Sequence, residues 1–150
     1  MRSDLFNRVL AERVTLSCWN QLLDGDVLQP EGSRGLFHAD DDGDSALRIA
    51  SGEVHPTAPL PGIPGMASSG PCLELEQRIL TPHGEVIDGL CAVGVEESRR
   101  ATRLPVRDLH WSRYNEREGE DCLELAFTLP AGAFATTVMA ELISGPDQSA

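Results

Sequence analysis

Between Pro56 and Pro71 the chain places five prolines, Pro56, Pro59, Pro61, Pro64 and Pro71, among Gly62, Gly65 and Gly70. Proline lacks an amide donor and fixes φ, while glycine leaves the backbone unconstrained, so this run predicts a long loop without regular structure. Such a loop reads either as a flap over a substrate or as a surface crossing. Ten prolines and fourteen glycines in 150 residues also argue for short elements and many turns, not for a helix bundle.

Helical and strand periods alternate around this loop, which gives an α+β class. Ser3 or Asp4 can cap a first helix whose apolar stripe runs Leu5, Phe6, Val9, Leu10 and Val14. A turn and strand follow over Trp19 to Leu28, a strand near Gly35 to Ala39 and a short element over Leu47 to Gly52. Beyond the loop, Leu73 to Leu80 and Glu85 to Val93 read as two helices separated by Pro82. A boundary is expected near Leu104-Pro105, after which Arg107 to Tyr114 and Cys122 to Leu129 form a hairpin around the acidic turn Asn115 to Asp121.

The last strand sets Leu123, Leu125, Phe127 and Leu129 on one side before Pro130 ends it. Gly132 then permits a turn, and Phe134, Val138 and Leu142 follow helical spacing, with Ala135 and Met139 on an adjacent stripe. Free amides at such a helix start suit an anion. Phe134 itself is either a core corner or an aromatic facing a ligand.

The formal charge is −12, with no lysine and twelve arginines. That balance opposes a general nucleic-acid clamp, because phosphate affinity comes mostly from cations. Positive charge is dense only at Arg99, Arg100, Arg103 and Arg107. On a helix, Arg99, Arg100 and Arg103 would contact phosphates; the alternative is pairing with Glu96, Glu97 and Asp108. Cys18, Cys72, Cys91 and Cys122 are widely separated and read as free buried thiols, and the four histidines are scattered, so no shared metal is expected. Asp40 to Asp44 fails as a calcium loop, since Ser45 and Ser51 stand where glycine and glutamate are needed. Serine-hydrolase and nucleotide-binding motifs are missing, as is any apolar run long enough to span a bilayer, and a soluble intracellular protein is expected.

Leu129 to Ile143 resembles the C-terminal motif of the TruD-type tRNA pseudouridine synthases, and Arg2 to Val14 resembles another segment of that family in the same order. Asp24-Gly25-Asp26-Val27-Leu28, His55-Pro56-Thr57, Leu73 to Glu76, Glu97 to Ala101 and Asp108 to Trp111 continue the similarity over nearly all of the chain. The resemblance implies that residues 1–104 are most of the family's insertion domain. Residues 105–150 would then supply a hairpin and helix of the catalytic fold. It also implies isomerisation of a tRNA uridine, in which an aspartate attacks the nucleotide, the glycosidic bond breaks and the base is rejoined through carbon.

No cofactor or metal is implied, and the cytoplasm is the expected location. By motif position Phe134 would line the target-base pocket, with Arg99, Arg100 and Arg103 as candidate RNA contacts. No catalytic residue carries over, because the family's Gly-x-Lys-Asp motif does not occur in this sequence. Asp26 and Asp108 read as turn or cap residues, and Ala140 stands where the family commonly has arginine. The expected partners are tRNA and a separate N-terminal half chain. The alternatives are a non-catalytic RNA-binding or protein-interaction module and a truncated inactive remnant.

Overall fold

The computed structural model describes residues 1–39, 44–117, 120–130 and 133–142. The expectations for Asp40 to Asp42 and for Gly132 lie outside the described residues. The chain divides into two compact units, Met1–Arg103 and Leu104–Ala150. Its elements are helices and strands of an α+β protein, and no described helix is long and apolar enough to cross a membrane.

In the first unit, β1 (Val27–Pro30), β2 (Phe37–His38), β3 (Val54–Leu60) and β4 (Ser98–Ala101) form one antiparallel sheet in the order β2-β1-β3-β4. Helix α1 (Arg2–Thr15) packs on β3 and on α3 (Gly70–Leu80), and α2 (Asp44–Ser51) packs on β3. A short 3₁₀ turn, Thr81–His83, carries the chain from α3 into α4 (Gly84–Ala92). Phe6, Val9, Ala58, Leu60 and Leu75 make one core cluster, and Leu28, Ile49 and Val54 make another. Each fully buried aliphatic side chain of this kind contributes roughly 1.5–3 kcal/mol.

Helix α1 starts at least two residues earlier than the capping signal suggests, with Met1 in the cap position. Arg2 is already helical, so Ser3 and Asp4 lie within the first turn, and Asp4 accepts a 2.9 Å bond from Arg8 instead of capping. The inward stripe runs Leu5, Phe6, Val9 and Arg13, while Val14 is left exposed. A polar residue thus occupies the position where the apolar pattern pointed one residue further.

The expected loop from Pro56 is overturned over its first five residues, because β3 runs through Pro56 and Pro59 and is buried along its length. In an antiparallel strand the nitrogen and oxygen of a residue face the same neighbour. The Pro56 carbonyl accepts from the Thr102 amide at 2.9 Å, so its missing donor falls just past the last residue of β4. Pro59 faces the other way, and the register of β1 places it beyond Val27, where no partner is required. Both prolines therefore occupy positions in a central strand that cost few ladder bonds.

The segment after β3 is tied down at both ends. Ile63 exchanges backbone bonds with Val95 (2.7 Å) and Glu97 (2.8 Å), and an added Cβ at Gly62 would lie 2.3 Å from the Val95 oxygen. Further on, the Ser69 amide donates to the Gly25 carbonyl at 3.0 Å. Gly25 has φ +82°, and a Cβ there would stand 1.9 Å from the Ser69 oxygen, so only glycine fits this approach.

The second unit holds β5 (Arg107–Arg117), β6 (Glu120–Thr128) and α5 (Ala135–Leu142). The antiparallel register pairs Trp111 with Leu125 and Arg113 with Leu123, so these four share one face. Ser112, Tyr114, Cys122 and Glu124 share the other. Asp108 has φ +51° beside a register shift between Arg107 and His110, the signature of a bulge.

Candidate functional site

The arginine-rich segment that sequence reading put on a helix is strand β4, and the two-residue period sends Arg99 and Arg100 to opposite faces. Arg99 points inward and is buried. It pairs with Glu76 and donates through Nε to Thr57 Oγ1 at 2.8 Å. Arg100 points outward, with its guanidinium 5.2 Å from the centre of the Phe6 ring. Arg103 lies beyond the strand and donates to His55 Nδ1 (2.8 Å) and to the carbonyls of Ile49 (2.5 Å) and Val54 (2.9 Å). Because Nδ1 of His55 accepts from Arg103, the proton of this imidazole sits on Nε2, 2.6 Å from Glu31 Oε2. Burial draws the Arg103 pKa down, against the pull of Glu31. The three arginines thus have three separate environments, and Glu96, Glu97 and Asp108 are not the ion-pair partner of Arg99.

Arg99 is one end of a buried polar network that sequence reading did not find. Glu76 also accepts from Ser68 Oγ at 2.6 Å, and Cys72 Sγ lies 3.2 Å from Asp26 Oδ1 and 3.6 Å from Glu76 Oε1. Asp26 in turn takes both terminal nitrogens of Arg13, at 2.7 and 2.9 Å, and the amide of Leu23 at 2.8 Å. Thr57 Oγ1 donates to the Val27 carbonyl at 2.6 Å, tying the network to the central strands. Burial alone would lower the Arg13 pKa, but the hydrogen bond and charge of Asp26 override it and raise it. Burial, followed by the carboxylates of Asp26 and Glu76, pushes the Cys72 thiol far above its ordinary range. The aspartate that sequence reading took for a turn residue therefore also anchors a buried ion pair. Its signal in the sequence was Arg13 on the apolar stripe of α1.

A cavity of about 260 Å³ opens in the same unit. Pro59, Leu73, Leu80 and Ile87 supply apolar wall, and Glu76, Glu97, Asp88 and Arg99 supply charge. Among the described residues, no three His, Cys, Asp or Glu side chains are arranged to hold a metal ion.

In the second unit Phe134 stands immediately before α5, its carbonyl accepting from the Thr137 amide at 3.1 Å and its side chain 72% exposed. Within α5, Val138 is buried, whereas Ala140 and Leu142 are exposed. Trp111 is 70% and Leu123 57% exposed on the shared face of the hairpin. Phe134, Trp111 and Leu123 are thus large apolar side chains left exposed in the second unit.

Residues 1–142 match the family model for tRNA pseudouridine synthase D (TruD). The chain is 42% identical over 142 residues to the tRNA pseudouridine synthase D of Ectopseudomonas mendocina, covering 95% of this chain and 39% of that protein. It is 41% identical over 143 residues to the protein of the same name from Methylococcus capsulatus, again covering 95% and 39%. In three dimensions it matches, with a TM-score of 0.75 and 23% identity, a Methanosarcina mazei protein crystallised under the same family name, over 93% of this chain and 36% of that one. The chain spans about two fifths of the length of these relatives. By the family match over almost its whole length, the chain belongs to the TruD family of tRNA pseudouridine synthases.

Proposed function

We propose that the chain is the C-terminal part of a tRNA pseudouridine synthase and acts once the catalytic-aspartate region is supplied to it. The observation that carries this reading is the family match over residues 1–142, together with coverage of only 39% of a relative's length. In this reading residues 1–104 are the insertion-domain segment and residues 105–150 a piece of the catalytic domain. The exposed face of Trp111 and Leu123 supports the second assignment, since an isolated two-stranded sheet needs a covering layer.

The chemistry is isomerisation of a uridine in tRNA. An aspartate from outside the 150 residues attacks the nucleotide, the glycosidic bond breaks, and the base is rejoined through carbon. A base must leave its stack to reach such a site, and an aromatic face receives it well. Phe134 is the group assigned to that task, and its exposure leaves its ring available. Among the candidate RNA contacts, Arg100 is the outward guanidinium. Arg99 and Arg103 serve RNA binding by fixing the sheet from which Arg100 projects. The reaction uses no metal or cofactor in this scheme, and cytoplasmic tRNA is the substrate.

The test is pseudouridine formation in tRNA by this chain with and without the N-terminal region of a relative. Activity only in the mixture is expected; turnover by the 150 residues alone would overturn the assignment of the nucleophile. A second reading, an RNA-binding module, draws support from the self-contained core of residues 1–103. It predicts salt-sensitive tRNA binding by that segment without any isomerisation.

A further inference from the structure

The cavity bounded by α3, α4, β3 and β4 has a composition that selects one kind of occupant. Its walls include Pro59, Leu73, Leu80 and Ile87, an aliphatic lining suited to methylene groups. Its charges are three carboxylates, Glu76, Glu97 and Asp88, against the single guanidinium of Arg99. That guanidinium is bonded to Glu76 and Thr57, and among the described residues neither Glu97 nor Asp88 forms an ion pair.

Glu97 is only partly accessible, and its backbone is fixed by the bond from its amide to the Ile63 carbonyl. Its carboxylate makes no hydrogen bond or ion pair among the described residues. Nη2 of the nearby Arg2 donates to the carbonyls of Leu60 and Glu96 and to Ser98 Oγ, while its buried Nε has no hydrogen-bond partner among the described residues.

An anion would meet more carboxylate than guanidinium in this cavity, and an uncharged ligand would leave a half-buried acid without a hydrogen bond. A cation on an aliphatic chain satisfies both walls and acids. We propose that this cavity binds an aliphatic polyamine, with its methylenes along Leu73, Leu80 and Ile87 and its ammonium groups on Glu97 and Asp88. The site lies wholly within the first unit and does not depend on the isomerase reading.

The probes are putrescine and spermidine, added to the full chain at constant ionic strength and followed by calorimetry and by methyl NMR. Saturable binding with shifts confined to the Leu73, Leu80 and Ile87 methyls is expected, and 1,4-butanediol, the uncharged analogue of putrescine, should not bind. Glu97→Gln, which removes a carboxylate with no protein contact to lose, should weaken spermidine by about tenfold. Asp88→Asn should weaken it less, and Ile87→Trp should abolish binding by filling the cavity while circular dichroism stays native. The proposal is overturned if shifts scatter over the acidic surface, if magnesium displaces spermidine at equal ionic strength, or if neither Glu97→Gln nor Ile87→Trp changes the affinity.

Discussion

Arg13 and Asp26 meet through two parallel hydrogen bonds, 2.7 and 2.9 Å long, with both side chains fully withdrawn from solvent. Neither charge can be removed alone without stranding the other in the interior. Asp26→Ala and Arg13→Met should each cost about 3–5 kcal/mol, read as a fall in the urea midpoint. Replacing both with apolar residues of similar volume should cost much less than the sum of the two. Additive losses would show that the pair does not act as a unit.

The four cysteines should separate by reactivity. Cys72 is buried, and its surroundings hold the thiol protonated, whereas Cys18, Cys91 and Cys122 are partly accessible. A thiol reagent at mildly alkaline pH should label these three and leave Cys72 untouched until denaturant is added. Mass spectrometry of the labelled peptides would check this, and early modification of Cys72 would contradict its place in the network.

Arg99 and Arg100 are adjacent in sequence and should behave oppositely. Arg99→Ala leaves Glu76 buried without its cation and should destabilise the fold by about 3–5 kcal/mol. Arg100→Ala touches an exposed side chain and should shift stability by roughly 0.5 kcal/mol or less beyond its contact with Phe6. If Arg100 meets RNA, its removal should also lower tRNA affinity and flatten the salt dependence by about one phosphate contact.

Phe134→Ala tests the proposed pocket in the complemented enzyme. With the ring 72% exposed, the melting temperature should barely move. Loss of a stacking face should lower kcat/KM by about tenfold or more, consistent with ~1–3 kcal/mol per stacked base. Parallel losses in stability and turnover would return Phe134 to a packing role.

Glu97 gives a prediction in pH. Burial is the strongest influence on it, with Glu76 adding to the rise and Arg99 and Arg2 opposing it. A carboxyl with a raised folded pKa holds its proton more tightly in the native state. The associated stability is therefore present below the ordinary carboxylate value and is lost as pH rises through the folded value. Wild type should gain stability relative to Glu97→Gln as pH falls through that interval, measured as urea midpoints at a series of pH values. A constant difference would mean that the carboxyl titrates alike in both states.

Local periodicity made much of this structure legible. The helices of Leu73–Leu80 and Glu85–Val93, the break at Pro82 and the paired strands of the hairpin all followed from spacing and turn residues. Proline misled at β3, because its cost depends on which neighbour the missing amide faces, and that is settled only by the register with β1 and β4. The arginine segment misled for a related reason: Ser98 to Ala101 is too short to display a period, and β3 decides its conformation. The buried network was out of reach because Arg13 finds Asp26 thirteen residues away and Arg99 finds Glu76 twenty-three residues away. The helical spacing that joined Phe134 to Val138 and Leu142 gives an inward residue only at Val138, because α5 begins at Ala135 and leaves Phe134 and Leu142 exposed.

The ion pair between Glu76 and Arg99 also joins an early element of the first unit to its last strand. Glu76 is made early, within α3, while its cation arrives on β4, the last strand of the first sheet. Until residue 99 is available, closing the interior would trap an acid beside Cys72 and Asp26 with no guanidinium to meet it. The complete buried network therefore needs the chain as far as β4, and a segment ending before residue 99 would carry Glu76 without its cation.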